Sequence, residues 1–320
     1  MKGRKNLLIF LSKDKIKLML RKHKITKKLI LQAIAPPDPN SHKGQNGRVL
    51  IIGGSPLFHG AGRLASKAAW EVILSFTSRA NDMVYFCSTK KNLDYLKCQQ
   101  ECFIGIIREQ VNSYLKICDV VLVGTGLMRE PEVNWAETKK EPLITKELTK
   151  KVLQSNKKAV LDAGSLQVVS LKDLKGKKKI IITPHQKEMS KLFNITPELL
   201  TTFHNSSLEK IKKVASIVKK TAEKYQITIL LKGPVDIIAD QQDWYYSEGG
   251  NAGMTKGGTG DVLAGIVTAF YGRSDNPLLA AATASFICKK TGEDLWKKKK
   301  WLYNATDLSR QLNKTIIKII

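Results

Sequence analysis

The stretch NAGMTKGGTGDVLAG, Asn251–Gly265, gathers five glycines and two threonines around a single carboxylate, Asp261. An uncharged, largely apolar run, Val262–Tyr271, follows at once. Gly257, Gly258 and Gly260 allow a sharp bend that presents successive backbone N–H groups. The apolar run reads as a buried helix with Asp261–Phe270 as its first turns, so its unpaired amides and partial positive charge face the bend. Such a bend can hold a phosphate, or the oxyanion of a phosphoryl group in transfer. Asp261 is then placed to take a proton from a hydroxyl beside that phosphate. The plainer alternative makes Asp261 an N-cap, a role that needs no GGTG in front of it.

Working outward, five runs share one design. RVLIIGG (Arg48–Gly54), DVVLVGTG (Asp119–Gly126), KAVLDAG (Lys158–Gly164), KIIITPH (Lys179–His185) and ITILLKG (Ile227–Gly233) are apolar strands that end in glycine or polar residues. Helix-length segments lie between them. HGAGRLASKAAWEVI (His59–Ile73) has Leu64, Ala68 and Val72 at four-residue spacing, and Ser207–Tyr225 carries Ile211, Val214, Ile217 and Val218 among lysines. Continuously apolar strands alternating with helices predict a largely parallel sheet covered on both faces. VDIIAD and WYYSEG after Gly233 predict an antiparallel hairpin at its edge.

In such a sheet ligands lie beyond the carboxyl ends of the strands. Those ends carry Gly53-Gly54-Ser55, Gly124-Thr125-Gly126, Asp162, Thr183-Pro184-His185 and Lys232-Gly233. A glycine after a strand is ordinarily turn chemistry; its repetition over five strands points to a site. Lys232 is a candidate phosphate cation, and Gly233 permits close approach of a ligand. His185 is a candidate donor to a ribose or amide. Glu188 and Asp162 are candidates to hold the turn or to organise a hydrated Mg²⁺. His23, His42, His59 and His204 have no zinc-ligand spacing with His185. No GK[ST] closes the glycine loop and GGSPLFHGAG does not follow GxGxxG, so neither the Walker A loop nor the dinucleotide fingerprint is present.

The 320-residue chain is 42% apolar with a mean hydropathy of −0.20, and it has no 18-residue apolar run to span a membrane. Its five cysteines form no CxxC pair, which fits a reducing, cytoplasmic setting. The formal net charge is +26, and the first 28 residues hold eleven Lys or Arg against the one acid Asp14. That field draws polyanions without choosing among nucleic acid, membrane surface and phosphorylated metabolites. The basic stretches lack the interleaved aromatics of a single-strand binder. Residues 1–24 read as a basic leader and 25–320 as one domain, with a Pro-rich loop at Ala35–Gly47.

NSHKGQNGRVLIIGGS, HGAGRLASKAA, GTGL, LDAGSL, TPHQKE, LLKGPVDII and above all NAGMTKGGTGDVLAG resemble, in order and spacing, the NAD(P)H-hydrate dehydratase family. The resemblance runs from about Thr26 to residue 315. It implies a ribokinase-like fold, a three-layer α/β/α sandwich, and the return of NADHX and NADPHX to NADH and NADPH. It further implies ADP as co-substrate, with ATP the eukaryotic alternative, AMP and phosphate as products, and Mg²⁺ as cofactor. By position, Ala61, Gly126, His185 and Asp261 match contacts to the hydrated dinucleotide, with Asp261 as the base. Lys232, Gly233, Pro234, Val235, Asp236 and Gly260 match contacts to the adenine nucleotide, and Gly257, Gly258 and Thr259 complete the anion loop.

The chain departs from the family where DAGSL replaces DADAL or DADGL, GTGLM replaces GPGLG, and TPHQKE replaces TPHPGE. Ser75–Phe86 stands where a glycine-rich segment is usual. The resemblance also implies a homo-oligomer, a tetramer in bacterial relatives, and epimerisation by a separate protein, since about 40 residues cannot form the epimerase domain many relatives carry. Two rival readings are a ribokinase-like vitamin-precursor kinase and a nucleic-acid-binding protein, although the sequence points to no specific nucleic acid.

Overall fold

The computed structural model describes residues 23–32, 47–75, 83–97, 103–129 and 136–320. Most of the basic leader, nearly all of the Pro-rich loop and part of the Ser75–Phe86 departure lie outside them. Nine strands form one sheet in the order β3-β2-β1-β4-β5-β6-β7-β8-β9. They are β1 Arg48–Ile52, β2 Met83–Ser88, β3 Ile104–Ile107, β4 Val120–Val123, β5 Lys158–Leu161, β6 Ile180–Ile182, β7 Thr228–Leu231, β8 Asp236–Ala239 and β9 Trp244–Ser247. Strands β1 to β7 pair in parallel, and β8 and β9 close the sheet in antiparallel. The five apolar runs and the edge hairpin therefore form the strands that the sequence predicts; β2 and β3 extend the sheet beyond β1.

Side chains of a strand alternate between the two faces, so a continuously apolar strand serves two cores at once. Val49, Ile51, Val120, Leu122, Val160, Ile181, Leu230 and Ile238 pack into one. Leu50, Ile52, Val121, Val123, Leu161, Ile182, Ile229 and Ile237 pack into the other. Helices His59–Leu74, Thr259–Arg273, Pro277–Lys299 and Ala305–Ile319 cover the first face. Helices Val111–Ile117, Glu141–Gln154, Gln186–Phe193 and Leu208–Tyr225 cover the second. The last of these begins at Ser207, whose side chain accepts from Lys210 N, and ends at Gln226 in the left-handed region at φ 56°.

The strand order reverses at β1. The chain runs outward through β2 and β3, then returns to β4 on the other side of β1 and continues to β9. Connections therefore diverge above the β1–β4 pair and leave a crevice there. Arg108 shapes one wall. Its guanidinium pairs with Glu141 at 2.8 and 3.0 Å and donates to the Gly54 carbonyl at 2.7 Å.

The helix of the opening stretch packs closely on helix His59–Leu74 because Gly265 lies against the Ala65 backbone; a Cβ there would overlap the Ala65 carbonyl. Gly265→Ala is therefore expected to destabilise the fold by about 1–3 kcal/mol in a urea titration, the usual cost of overpacking. Gly60, where an added Cβ meets nothing within 4 Å, supplies the contrast: Gly60→Ala gains helix propensity, up to about 1 kcal/mol.

Candidate active site

The helix in question spans Thr259–Arg273, and its N-cap is Gly258, not Asp261. Gly258 has φ 90° and makes no side-chain cap. A Cβ there would stand 2.6 Å from Leu64 Cδ1 and 3.0 Å from Ala305 Cβ, so this position needs glycine for both conformation and space. The cap position thus offers the first-turn amides no side-chain acceptor. Asp261 is the third helical residue, which sets aside the N-cap reading. The loop before the helix is anchored by its own polar groups. Thr259 Oγ1 donates to the carbonyls of Met254 at 2.7 Å and Lys256 at 2.9 Å. Asn251 accepts from Gly253 N and the Tyr303 hydroxyl and donates to Gly292 O at 2.8 Å. Lys256 Nζ caps the Tyr303 carbonyl at 2.6 Å and lies over that ring.

Two groups of the expected residues converge. At the β1–β4 crevice, Gly126 has φ 68°, and a Cβ on it would meet Phe58 O at 2.7 Å and Ala61 Cβ at 2.9 Å. Ala61 therefore faces Gly126 across the crevice. At the ends of β5, β6 and β7, Lys232 Nζ donates to Asp162 Oδ1 at 2.7 Å, and Thr183 Oγ1 donates to the same oxygen at 2.8 Å. Asp162 is 2% exposed and Lys232 18%. Lys232 also reaches the helix start: a Cβ on Gly260 would lie 3.6 Å from its Nζ. Burial pulls the Lys232 pKa down, but Asp162, Glu188 and Asp261 outweigh it and leave it raised, so the ammonium stays charged.

Asp261 makes no ion pair among the described residues. Burial, then repulsion from Asp162, pushes its pKa to about 7 despite the attraction of Lys232. His185 and Glu188 form a capping box on helix Gln186–Phe193. Glu188 N donates to His185 Nδ1 at 3.2 Å, and His185 N donates to Glu188 Oε2 at 2.9 Å. Burial, aided by Lys232, lowers the His185 pKa below its usual value against the pull of Glu188. The ring is then neutral at pH 7, with Nδ1 accepting and Nε2 carrying the proton.

A cleft of about 310 Å³ opens between Lys232–Pro234, Gly249–Asn251 and Thr259–Gly260. Asp236 also lines this cleft, and it and Val235 are held by neighbouring groups. Asp236 is 4% exposed and accepts from Gly233 N at 2.9 Å and Ser285 Oγ at 2.7 Å, with Lys289 Nζ at 3.6 Å. Val235 exchanges its backbone N–H and C=O with Thr202 Oγ1. Both shape the Lys232–Gly233 turn. An added Cβ on Gly257 meets nothing within 4 Å, so that position lies open. The sequence reading missed Arg108, Glu141 and Lys289, which hold the turns; no local motif marks them.

The model of the NAD(P)H-hydrate dehydratase family matches residues 49–314. The chain belongs to this family. An ADP-dependent (S)-NAD(P)H-hydrate dehydratase of Nitrosopumilus maritimus is 31% identical over 298 residues, covering 92% of this chain and 96% of its own length. The bifunctional NAD(P)H-hydrate repair enzyme of Methanocaldococcus jannaschii is 31% identical over 290 residues, and the chain spans 50% of its length. The fold is ribokinase-like, as in solved structures that include the ADP/ATP-dependent NAD(P)H-hydrate dehydratase of Bacillus subtilis, TM-score 0.69 at 20% identity over 92% of this chain and 98% of that one. At that identity the likeness speaks for the architecture.

In this member of the dehydratase family the ionised Asp261 costs stability. The folded pKa lies above the ordinary carboxylate value, so the penalty is absent below about pH 4, grows as pH rises, and is complete above about 7. Asp261→Asn is expected to stabilise the fold by on the order of 2 kcal/mol above pH 7 and by little at pH 4, read from urea titrations at both pH values.

Proposed function

We propose that the chain, through one domain spanning residues 25–320, is an ADP-dependent (S)-NAD(P)H-hydrate dehydratase that converts ADP to AMP and phosphate. The observation that carries this reading is the difference between two neighbouring carboxylates. Asp162 is bound to Lys232, whereas Asp261, in the first turn of the glycine-loop helix, is half-buried without a paired cation and its pKa lies near 7. A base poised near the working pH accepts a proton most effectively. Asp261 takes the proton of the hydrate's ring hydroxyl, and that oxygen attacks the β-phosphorus of ADP as the bond to the AMP oxygen breaks. The first-turn amides and Lys232 stabilise the charge on the transferring group. The ring nitrogen's electrons then expel phosphate, and loss of the adjacent carbon's proton restores the dihydronicotinamide.

The nucleotide's phosphates lie, in this reading, in the cleft of Lys232–Pro234 and Thr259–Gly260. The nicotinamide end lies between Ala61, Gly126, His185 and Asp261. Mg²⁺ would supply charge neutralisation on the phosphates. No three-ligand protein cluster stands among the described residues. Mg²⁺ commonly keeps several waters and takes one or two carboxylates besides phosphate oxygens; Asp162 and Glu188 fit that sparse donor set. A reducing, cytoplasmic setting accords with buried free Cys87, Cys118 and Cys288, and among the described residues no helix is long and apolar enough to cross a membrane. A separate epimerase would supply the S hydrate.

The test mixes the chain with NADHX and ADP, with ATP alongside, and follows absorbance near 340 nm. Recovery of absorbance with stoichiometric AMP is expected; a stable phosphate ester instead would make the chain a small-molecule kinase. Asp261→Asn is expected to lower turnover by roughly 10²–10⁴ while adenine nucleotide binding persists. Because the base acts ionised, kcat/KM should rise with pH up to about 7 and then level off; a profile flat from pH 5 to 8 would remove Asp261 from the rate.

A further inference from the structure

A second cleft, of about 550 Å³, adjoins the site on the other side of His185. It lies over the turns after β4, β5 and β6, where Arg129, Gln167, Lys187 and Lys191 line it with an apolar floor that includes Leu166 and Leu192. His185 borders both clefts, so they share a wall. Lys187 and Lys191 stand four residues apart on helix Gln186–Phe193 and therefore on one face. Arg129 reaches the cleft from the segment following Gly126, and its guanidinium donates to Gln167 Oε1 at 2.6 Å. None of the three cations makes an ion pair among the described residues. The one lining carboxylate is Glu188, which accepts from the His185 amide.

We propose that this cleft binds the adenosine-phosphate half of the hydrated dinucleotide, and that Arg129, Lys187 and Lys191 favour its 2′-phosphorylated form, NADPHX, over NADHX. The inference rests on the reading of the site above. The adenine nucleotide is assigned the cleft lined by Lys232–Pro234, whereas a dinucleotide held by its ring at Gly126 and His185 must continue outward. This cleft both borders His185 and receives the chain following Gly126. Its volume suits a nucleotide-sized group, within the usual range of about 300–1,000 Å³. Its apolar floor suits a purine, and its cations suit phosphate, for which a guanidinium offers paired donors. The difference between the two dinucleotides is a single phosphate, and long-stemmed cations discriminate that group by charge without touching the reacting ring.

The test compares Arg129→Ala, Lys187→Ala and Lys191→Glu with the parent chain; Lys213→Ala, on the remote helix Leu208–Tyr225, is the charge control. Titration of the full chain with NADP⁺ and NAD⁺ reads the cleft without turnover. The parent is expected to bind NADP⁺ at least about tenfold more tightly than NAD⁺, and each cleft variant to lose most of that ratio while its ADP affinity stays within about twofold. In the 340 nm assay, KM for NADPHX should rise at least about tenfold and more than KM for NADHX, with kcat little changed. Equal affinity of the parent for NADP⁺ and NAD⁺, unaltered ratios in the variants, or a loss that falls on ADP would overturn the proposal. A parent that prefers NADP⁺ by cleft-dependent binding yet restores no absorbance would instead refute the dehydratase reading and leave the cleft's phosphate preference standing.

Discussion

The pairing of Lys232 with Asp162 organises the rest of the site. It draws the ammonium at the end of β7 over the strand end of β5 and beside Gly260, so that a fixed positive charge meets the positive end of a helix. Like charges at such close quarters are tolerated because Asp162, Glu188 and Asp261 surround the lysine. The same pairing occupies Asp162 and leaves Asp261 with no ion pair of its own, so that desolvation and the Asp162 charge outweigh the pull of Lys232. Two acids on neighbouring elements thereby acquire different character, one a counter-charge to Lys232 and the other a carboxylate that titrates near 7, through environment and not residue type.

The turns that carry these groups are held from behind. Asp236, Lys289 and Ser285 fix the Gly233–Pro234 bend. Arg108 and Glu141 hold the Gly54 carbonyl at the crevice. Asn251, Lys256 and Tyr303 tie down the approach to the glycine loop. Catalytic groups need support of this kind, because an anion-binding bend made of glycines has no side chains with which to hold its own shape. The departure that puts Gly164 where relatives carry a second acid sits at one such close approach, since a Cβ there would overlap the Leu127 carbonyl. An acidic side chain at this position would need the segment after β4 to move, so the lost carboxylate and the local packing are one change.

Much of this architecture could be read along the chain. Five continuous apolar runs ending in Gly, His, Asp or Lys announced five of the seven parallel strands, β1 and β4 to β7, because a strand covered on both faces has no polar face to show. The hairpin Asp236–Ser247 and the helix after Gly258 were equally plain, since turn residues and an uncharged run are local signals. Strands β2 and β3 were not. Met83–Ser88 follows a departure from the family pattern, and Ile104–Ile107 is a short edge strand whose exposure blurs its period.

The sequence alone determined that a glycine-built bend precedes a buried helix bearing one carboxylate, and that strand ends bring polar residues to one side of a sheet. Both follow from backbone freedom and hydrophobic burial, which neighbouring residues decide among themselves. Only the tertiary structure decided that Asp261 stands within the first turn and not at the cap, that Asp162 is taken by Lys232, and that Asp236 is held by Ser285. Those assignments join residues about 50 to 70 positions apart. A carboxylate's chemistry depends on which charges and dipoles fold beside it, and sequence spacing carries no record of that company.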